Sequence, residues 1–240
     1  MATRYSRILL KLSGEGLGAG EDPFDHKRLA GLAQQIRRLS SEGVEIGIVV
    51  GGGNLFRARS ANLDVLNRVT ADHVGMLATL MNATVLRDYL RAEGSRSVVL
   101  SPRGVPPISR TFSRDIALPL FKSHTVLIFG GGTGNPFFTT DTAAALRAVE
   151  IEADALLKGT QVDGVYDKDP RRHDDAERFD FLTYDEVIDR RLGVMDLSAI
   201  TLCKERGVPI EVFDISDPRN IMRLLNGEIA GTRVAKEPQA

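Results

Sequence analysis

The chain has 240 residues, enough to bury one substantial α/β core. Its 31 Lys and Arg stand against 32 Asp and Glu, and a net charge of -1 excludes general electrostatic attraction to nucleic acid or anionic lipid. A single cysteine, Cys203, excludes an internal disulfide and a multi-cysteine metal centre.

In chain order, short runs of Ile, Val and Leu alternate with helical patterns. Strands are predicted over 7–12, 45–50, 97–100, 125–129, 154–158 and 210–213. The runs are continuous, which marks strands buried on both faces and hence a mainly parallel sheet. Between them, Leu29, Leu32, Ala33, Ile36 and Leu39 form one apolar helical stripe, and a second helix continues over 69–90. Further helices are predicted over 139–150 and 197–206, with Cys203 as core filler on the latter. A last one starts at Pro218, read as its first helical residue, and ends in Gly227. The class is therefore α/β, with helices on both faces of the sheet. The stretches "GEGLGAGEDP", "SPRGVPPISR" and "TQVDGVYDKDPRRHDDAERF" read as irregular. No apolar run approaches the ~20 residues of a membrane span, so the expectation is a cytoplasmic chain.

Ligands of open α/β sheets bind beyond the carboxyl ends of the strands, and three glycine clusters fall there: "KLSGEG", "GGGNLFR" and "GGGTGN". Backbone N–H groups freed of Cβ make anion nests, so the clusters point to phosphate. The familiar phosphate motifs fail: the chain has no Gly-Lys dipeptide, hence no Walker A loop, and no acidic residue ends the second strand as a dinucleotide fold requires. Protein-kinase signatures are absent too. Among only seven lysines, Lys11 ("LLKLSG") and Lys158 ("LLKGT") end buried strands in echoing contexts. Placed twice beside a glycine or hydroxyl turn, they read as point charges for a phosphoryl group in flight. Tyr166, among Asp163, Asp167 and Asp169, offers an aromatic face for a nucleobase.

The segments "RILLKLSGE", "VVGGGNLFR", "NRVTADHVGMLATLMN", "GTGNPFFTTD", "IEADALLKGTQVDGVYDKDP", "LTYDEVI" and "VMDLSA" together resemble the bacterial uridylate kinases of the amino acid kinase superfamily. The resemblance implies a three-layer αβα sandwich with a mainly parallel central sheet. It also implies one domain over 6–235, with an acceptor-binding N-terminal lobe, an ATP-binding C-terminal lobe and a tail at 236–240. The implied reaction is transfer of the ATP γ-phosphoryl group to UMP with Mg²⁺ carried by ATP, and the implied assembly is a homohexamer activated by GTP and inhibited by UTP.

Carried onto this chain, the catalytic candidates are Lys11, Lys158 and Asp141, the last to orient the lysines. The ATP candidates are Lys11, Leu12, Ser13, Gly14, Gly53, Arg57, Thr160, Tyr166 and Asp169. For UMP they are Gly52, Asp72, Thr133, Gly134, Asn135, Pro136, Phe137, Phe138, Thr139 and Thr140. The chain departs from the family pattern at Ala58 and Ala71, where Gly is usual, at Gln161, where Lys is common, and in the effector-associated loop at 18–23. Two alternatives stay open: a kinase of the same fold acting on a carboxylate or carbamate, and a nucleotide-binding regulator without turnover. Phe137 and Phe138 are divided between walling the acceptor pocket and anchoring the loop in the core or at a subunit contact.

Overall fold

The computed structural model describes residues 3–18, 22–57, 65–228 and 230–238. Ala58 and residues 19–21 of the effector-associated loop lie outside the described residues, as do the last two residues of the tail.

The N-terminal half runs β1 (Arg7–Leu12), α1 (His26–Ser41), β2 (Glu45–Val50), α2 (Arg68–Ala92), β3 (Ser97–Ser101), β4 (Arg110–Thr111), α3 (Arg114–Lys122) and β5 (Val126–Phe129). It is followed by α4 (Thr140–Glu150), β6 (Ala155–Thr160), β7 (Val165–Tyr166), β8 (Arg178–Phe179), β9 (Phe181–Thr183), α5 (Tyr184–Asp189), α6 (Leu197–Arg206), β10 (Ile210–Asp214), α7 (Arg219–Leu225) and β11 (Gly231–Ala235). Nine strands form one sheet in the order β4-β3-β5-β2-β1-β6-β10-β11-β9. Every pairing in it is parallel except β10 with β11, while β7 and β8 form a separate antiparallel ribbon.

The period of two along a strand sorts the core into two layers. In β1, Ile8, Leu10 and Leu12 enter one apolar cluster with residues of α1, α2 and α7. Leu9 enters the other, with residues of α3, α4, α5 and α6. Lys11 therefore points to the α4 side of the sheet, and so does Lys158, two residues beyond Leu156 of the same cluster.

The sandwich follows the expected class, with three local corrections. The stretch before 125 contains α3, which its nine-residue length and internal Pro119 hide from pattern reading. The acidic loop after Thr160 carries the β7–β8 ribbon. Pro218 is the residue before α7, in helical geometry with no side-chain cap bond, and not the first helical residue. Cys203 is fully buried on α6, as expected.

Candidate active site

Strands β1 and β6 are neighbours, and their register sets Lys11 directly opposite Lys158. Helix α4 starts over the ends of these strands. Thr139 is its N-cap, with a hydroxyl that accepts from the Asp141 and Thr142 amides at 3.0 and 3.4 Å. Asp141, on the first turn, reaches both lysines: Lys11 Nζ lies 2.6 Å from Oδ1 and Lys158 Nζ donates to Oδ2 at 3.0 Å. Lys158 also donates to the carbonyl of Val194. Burial by itself would raise the Asp141 carboxyl, but Lys11 and then Lys158 outweigh it and hold the group below the usual carboxylate range. Burial lowers the Lys158 ammonium, against the opposing pull of Asp141 and with a further push from Lys11. The centre thus sets two lysine side chains from adjacent strands on one carboxylate.

The loops are held by close backbone approach. A Cβ on Gly14 would lie 2.6 Å from both Asn54 Oδ1 and the Gly53 amide, so the loops after β1 and β2 touch through a position only glycine fills. Gly134 has φ +83°, and a Cβ there would meet Pro102 at 2.6 Å. Helix α2 buttresses the two loops that follow β2 and β5. Asn82, fully buried, donates to the Gly51 carbonyl and to Asn54 Oδ1, both at 2.7 Å, and Thr79 accepts from the Gly131 amide at 2.7 Å.

Lys11, Ser13, Lys158, Thr160, Tyr166 and Asp169 all line one groove of about 710 Å³. Gln161 lines it too, whereas the other described departure, Ala71, is fully buried in α2. Tyr166 is held by a 2.6 Å bond to Asp163, which Arg178 pairs at 2.9 Å. Ser13 caps the turn Gly14–Leu17, and Arg57 pairs with Glu15 at 2.6 Å while donating to the Gly53 carbonyl at 3.1 Å. Leu12 is buried, so only its backbone is placed to meet a ligand.

None of the acceptor candidates lines that groove. Asp72 accepts from the Phe137 amide at 2.8 Å and from Arg68 Nε at 3.0 Å, tying the loop of Thr133, Asn135 and Pro136 to α2. Gly52 leans on the same helix, where a Cβ would lie 3.0 Å from the Gly75 carbonyl. Phe137 and Phe138 are 67% and 52% exposed, which removes the expectation that they anchor the loop in the core. The Thr139 hydroxyl is committed to the helix cap and donates its proton to Asp196. Thr140 has no hydrogen-bond partner for its hydroxyl among the described residues.

Sequence reasoning missed Asp196, the Val194 carbonyl, Asn82 and Thr79. Asp196 was detectable as the residue before a predicted helix, in a cap position. The roles of Asn82 and Thr79 arise from contacts with Gly51 and Gly131, remote in sequence, and had no local signal.

Two lysines clamped on one aspartate, glycine nests at three strand ends and a groove ending in an aromatic define a phosphotransferase that works on nucleotides. The pattern of the amino acid kinase family matches residues 6–214, and the chain belongs to that family. It is 48% identical over 237 residues to a uridylate kinase of Pseudomonas fluorescens, covering 98% of this chain and 96% of the relative. A uridylate kinase of Psychrobacter cryohalolentis is 49% identical over 233 residues, with 96% and 97% covered. The solved structure of a UMP kinase from Bacillus anthracis superposes with a TM-score of 0.93 at 34% identity, covering 98% of this chain and 97% of that one.

Proposed function

We propose that this chain transfers the γ-phosphoryl group of ATP to UMP, giving ADP and UDP. The observation that carries the reading is the Lys11–Asp141–Lys158 clamp between the ATP-side groove and the loop 133–140, in a chain so close to uridylate kinases. A phosphate oxygen of UMP attacks the γ-phosphorus as the bond to the β–γ bridging oxygen breaks, and that oxygen leaves on ADP with the electron pair. UMP has a second pKa of about 6 and is mostly dianionic at neutral pH, so no general base is needed. The obstacle is repulsion: two like charges ~4 Å apart cost about 4 kcal/mol at an effective dielectric of 20, and these groups are multiply charged.

Lys11 and Lys158 supply fixed positive charge to the transferring group, and Asp141 positions them. The phosphates run along Lys11 to Gly14, with Gly53 and Arg57 beside them. The base and ribose of ATP lie toward Thr160, Tyr166 and Asp169. UMP takes Gly52, Asp72 and the loop 133–140, with the Thr140 hydroxyl toward its phosphate. On this assignment the N-terminal lobe binds mainly acceptor and the C-terminal lobe mainly ATP. Mg²⁺ fits as an ion carried by the triphosphate, because both oxygens of Asp141 are occupied by ammonium groups. When bound it neutralises charge on the phosphate oxygens.

The reading extends to a cytoplasmic homohexamer activated by GTP and inhibited by UTP. No helix among the described residues is long and apolar enough to cross a membrane. An exposed stripe on α2, with Val69, Leu77 and Met81 at multiples of four residues, supports a contact between subunits. The test is ADP release with UMP, CMP, dTMP, aspartate, N-acetylglutamate and carbamate in parallel. Turnover confined to UMP is expected, and none with UMP overturns the proposal.

A further inference from the structure

Asp196 stands where two helices and the lysine clamp meet. As N-cap of α6 it accepts from the Ala199 amide at 2.9 Å. The same carboxylate accepts from the Thr142 hydroxyl, at 2.8 and 2.9 Å to its two oxygens, and from the Thr139 hydroxyl. Thr139 and Thr142 are the N-cap and third residue of α4, so Asp196 grips the turn that carries Thr140 and Asp141. Two residues earlier, the carbonyl of the buried Val194 accepts from Lys158 Nζ, and Val194 lines the ATP-side groove.

We propose that Asp196 is a positioning residue for phosphoryl transfer, setting α4 against the strand-end lysines by holding both threonine hydroxyls while the Val194 carbonyl holds Lys158. It touches no reacting atom. Asp141 must reach Nζ groups from two strands at once, and Thr140 lies one residue away on the same turn. Rotation or lift of that turn misplaces the lysines and the acceptor together, and a 1 Å misplacement costs on the order of 100-fold in rate. The inference rests on the phosphotransfer reading of the clamp. A cap that served only stability would lower the melting temperature and leave the turnover of folded enzyme intact.

The test compares Asp196→Ala, Asp196→Asn, Thr142→Val and the double variant Asp196→Ala/Thr142→Val with wild-type enzyme, using ATP and UMP. Asp196→Ala is expected to lower kcat by roughly 10- to 100-fold with both KM values within about 3-fold. Asp196→Asn keeps one acceptor oxygen and should recover most of kcat. The double variant should be no slower than Asp196→Ala alone, because both remove one linkage. Unchanged kcat in Asp196→Ala, a loss seen only as raised KM, or additive losses in the double variant each overturn the proposal. If Asp196→Ala fails to fold, Thr142→Val, which removes the hydroxyl that Asp196 holds, decides it by the same kcat-against-KM criterion. Wild-type turnover of UMP in the same assay reports separately on the phosphotransfer reading. Should it be absent, amide hydrogen exchange at 141–143 still decides the positioning role, with unchanged protection in Asp196→Ala and Thr142→Val counting against it.

Discussion

Lys11 and Lys158 stand opposite each other in adjacent parallel strands, and both ammonium groups end on the single carboxylate of Asp141. Neither lysine reaches solvent freely, and the cation pair is tolerable only because the carboxylate lies between them.

Removing one cation from this arrangement should abolish catalysis more than folding. Lys11→Ala is expected to reduce kcat by about 100- to 1,000-fold, the range for loss of one preorganised electrostatic group. The comparison is steady-state ADP release in variants whose circular dichroism matches wild type. Near-normal kcat would remove Lys11 from the clamp.

The pH dependence follows from the directions of the two shifts. Asp141 has a folded value below its unfolded one, so its contribution to stability is complete above the ordinary carboxylate range and lost as pH falls through the lower folded value. Lys158 has a folded value below the ordinary ~10.4, so the native state sheds this proton before the unfolded chain does. Its burial penalty relaxes as pH rises through that window, while the charge needed on the phosphoryl group disappears. The expected result is a kcat profile that falls on the alkaline side below ~10.4, alongside stability that rises from this group. A kcat–pH profile flat up to the ordinary lysine value would contradict it.

The two threonines should separate. Thr139→Val loses the α4 cap, at a cost of about 1 kcal/mol of stability. Thr140→Val should leave the melting temperature near wild type and raise the KM for UMP severalfold. Urea titration and UMP saturation curves test the pair, and a reversed pattern would show that Thr139 meets the phosphate.

Asn82→Ala strips the buried bonds to the Gly51 carbonyl and Asn54, at an expected cost of about 1–3 kcal/mol. Because the glycine loop after β2 leans on this residue, the KM for both nucleotides should rise as well. Denaturant unfolding with and without ATP distinguishes loop damage from global loss.

Phe137 and Phe138 expose most of their rings, so replacing both by Ala should shift the melting temperature little. Phe137 also sits at φ +71°, beneath the guanidinium of Arg68 at 5.9 Å, a placement that local packing does not require. A raised KM for UMP is expected. An unchanged KM with a smaller particle in light scattering would assign the rings to a subunit contact instead.

The sequence by itself determined the six principal strands, the main helices, the mainly parallel sheet and the family, because strands buried on both faces are written as continuous Ile, Val and Leu runs with glycine turns at their ends. The echo of "LLKLSG" and "LLKGT" was legible. Only the tertiary structure decided that Lys11 and Lys158 share one register and one face, that Asp141 closes on both, and that Thr139 is spent on a cap while Thr140 is left open. Only it brought Asp196 and Asn82 to the site. Apart from the local cap bonds of Thr139, these depend on contacts between residues 17 to 147 positions apart, set by strand order and by where α4 begins, and no local periodicity records such distances.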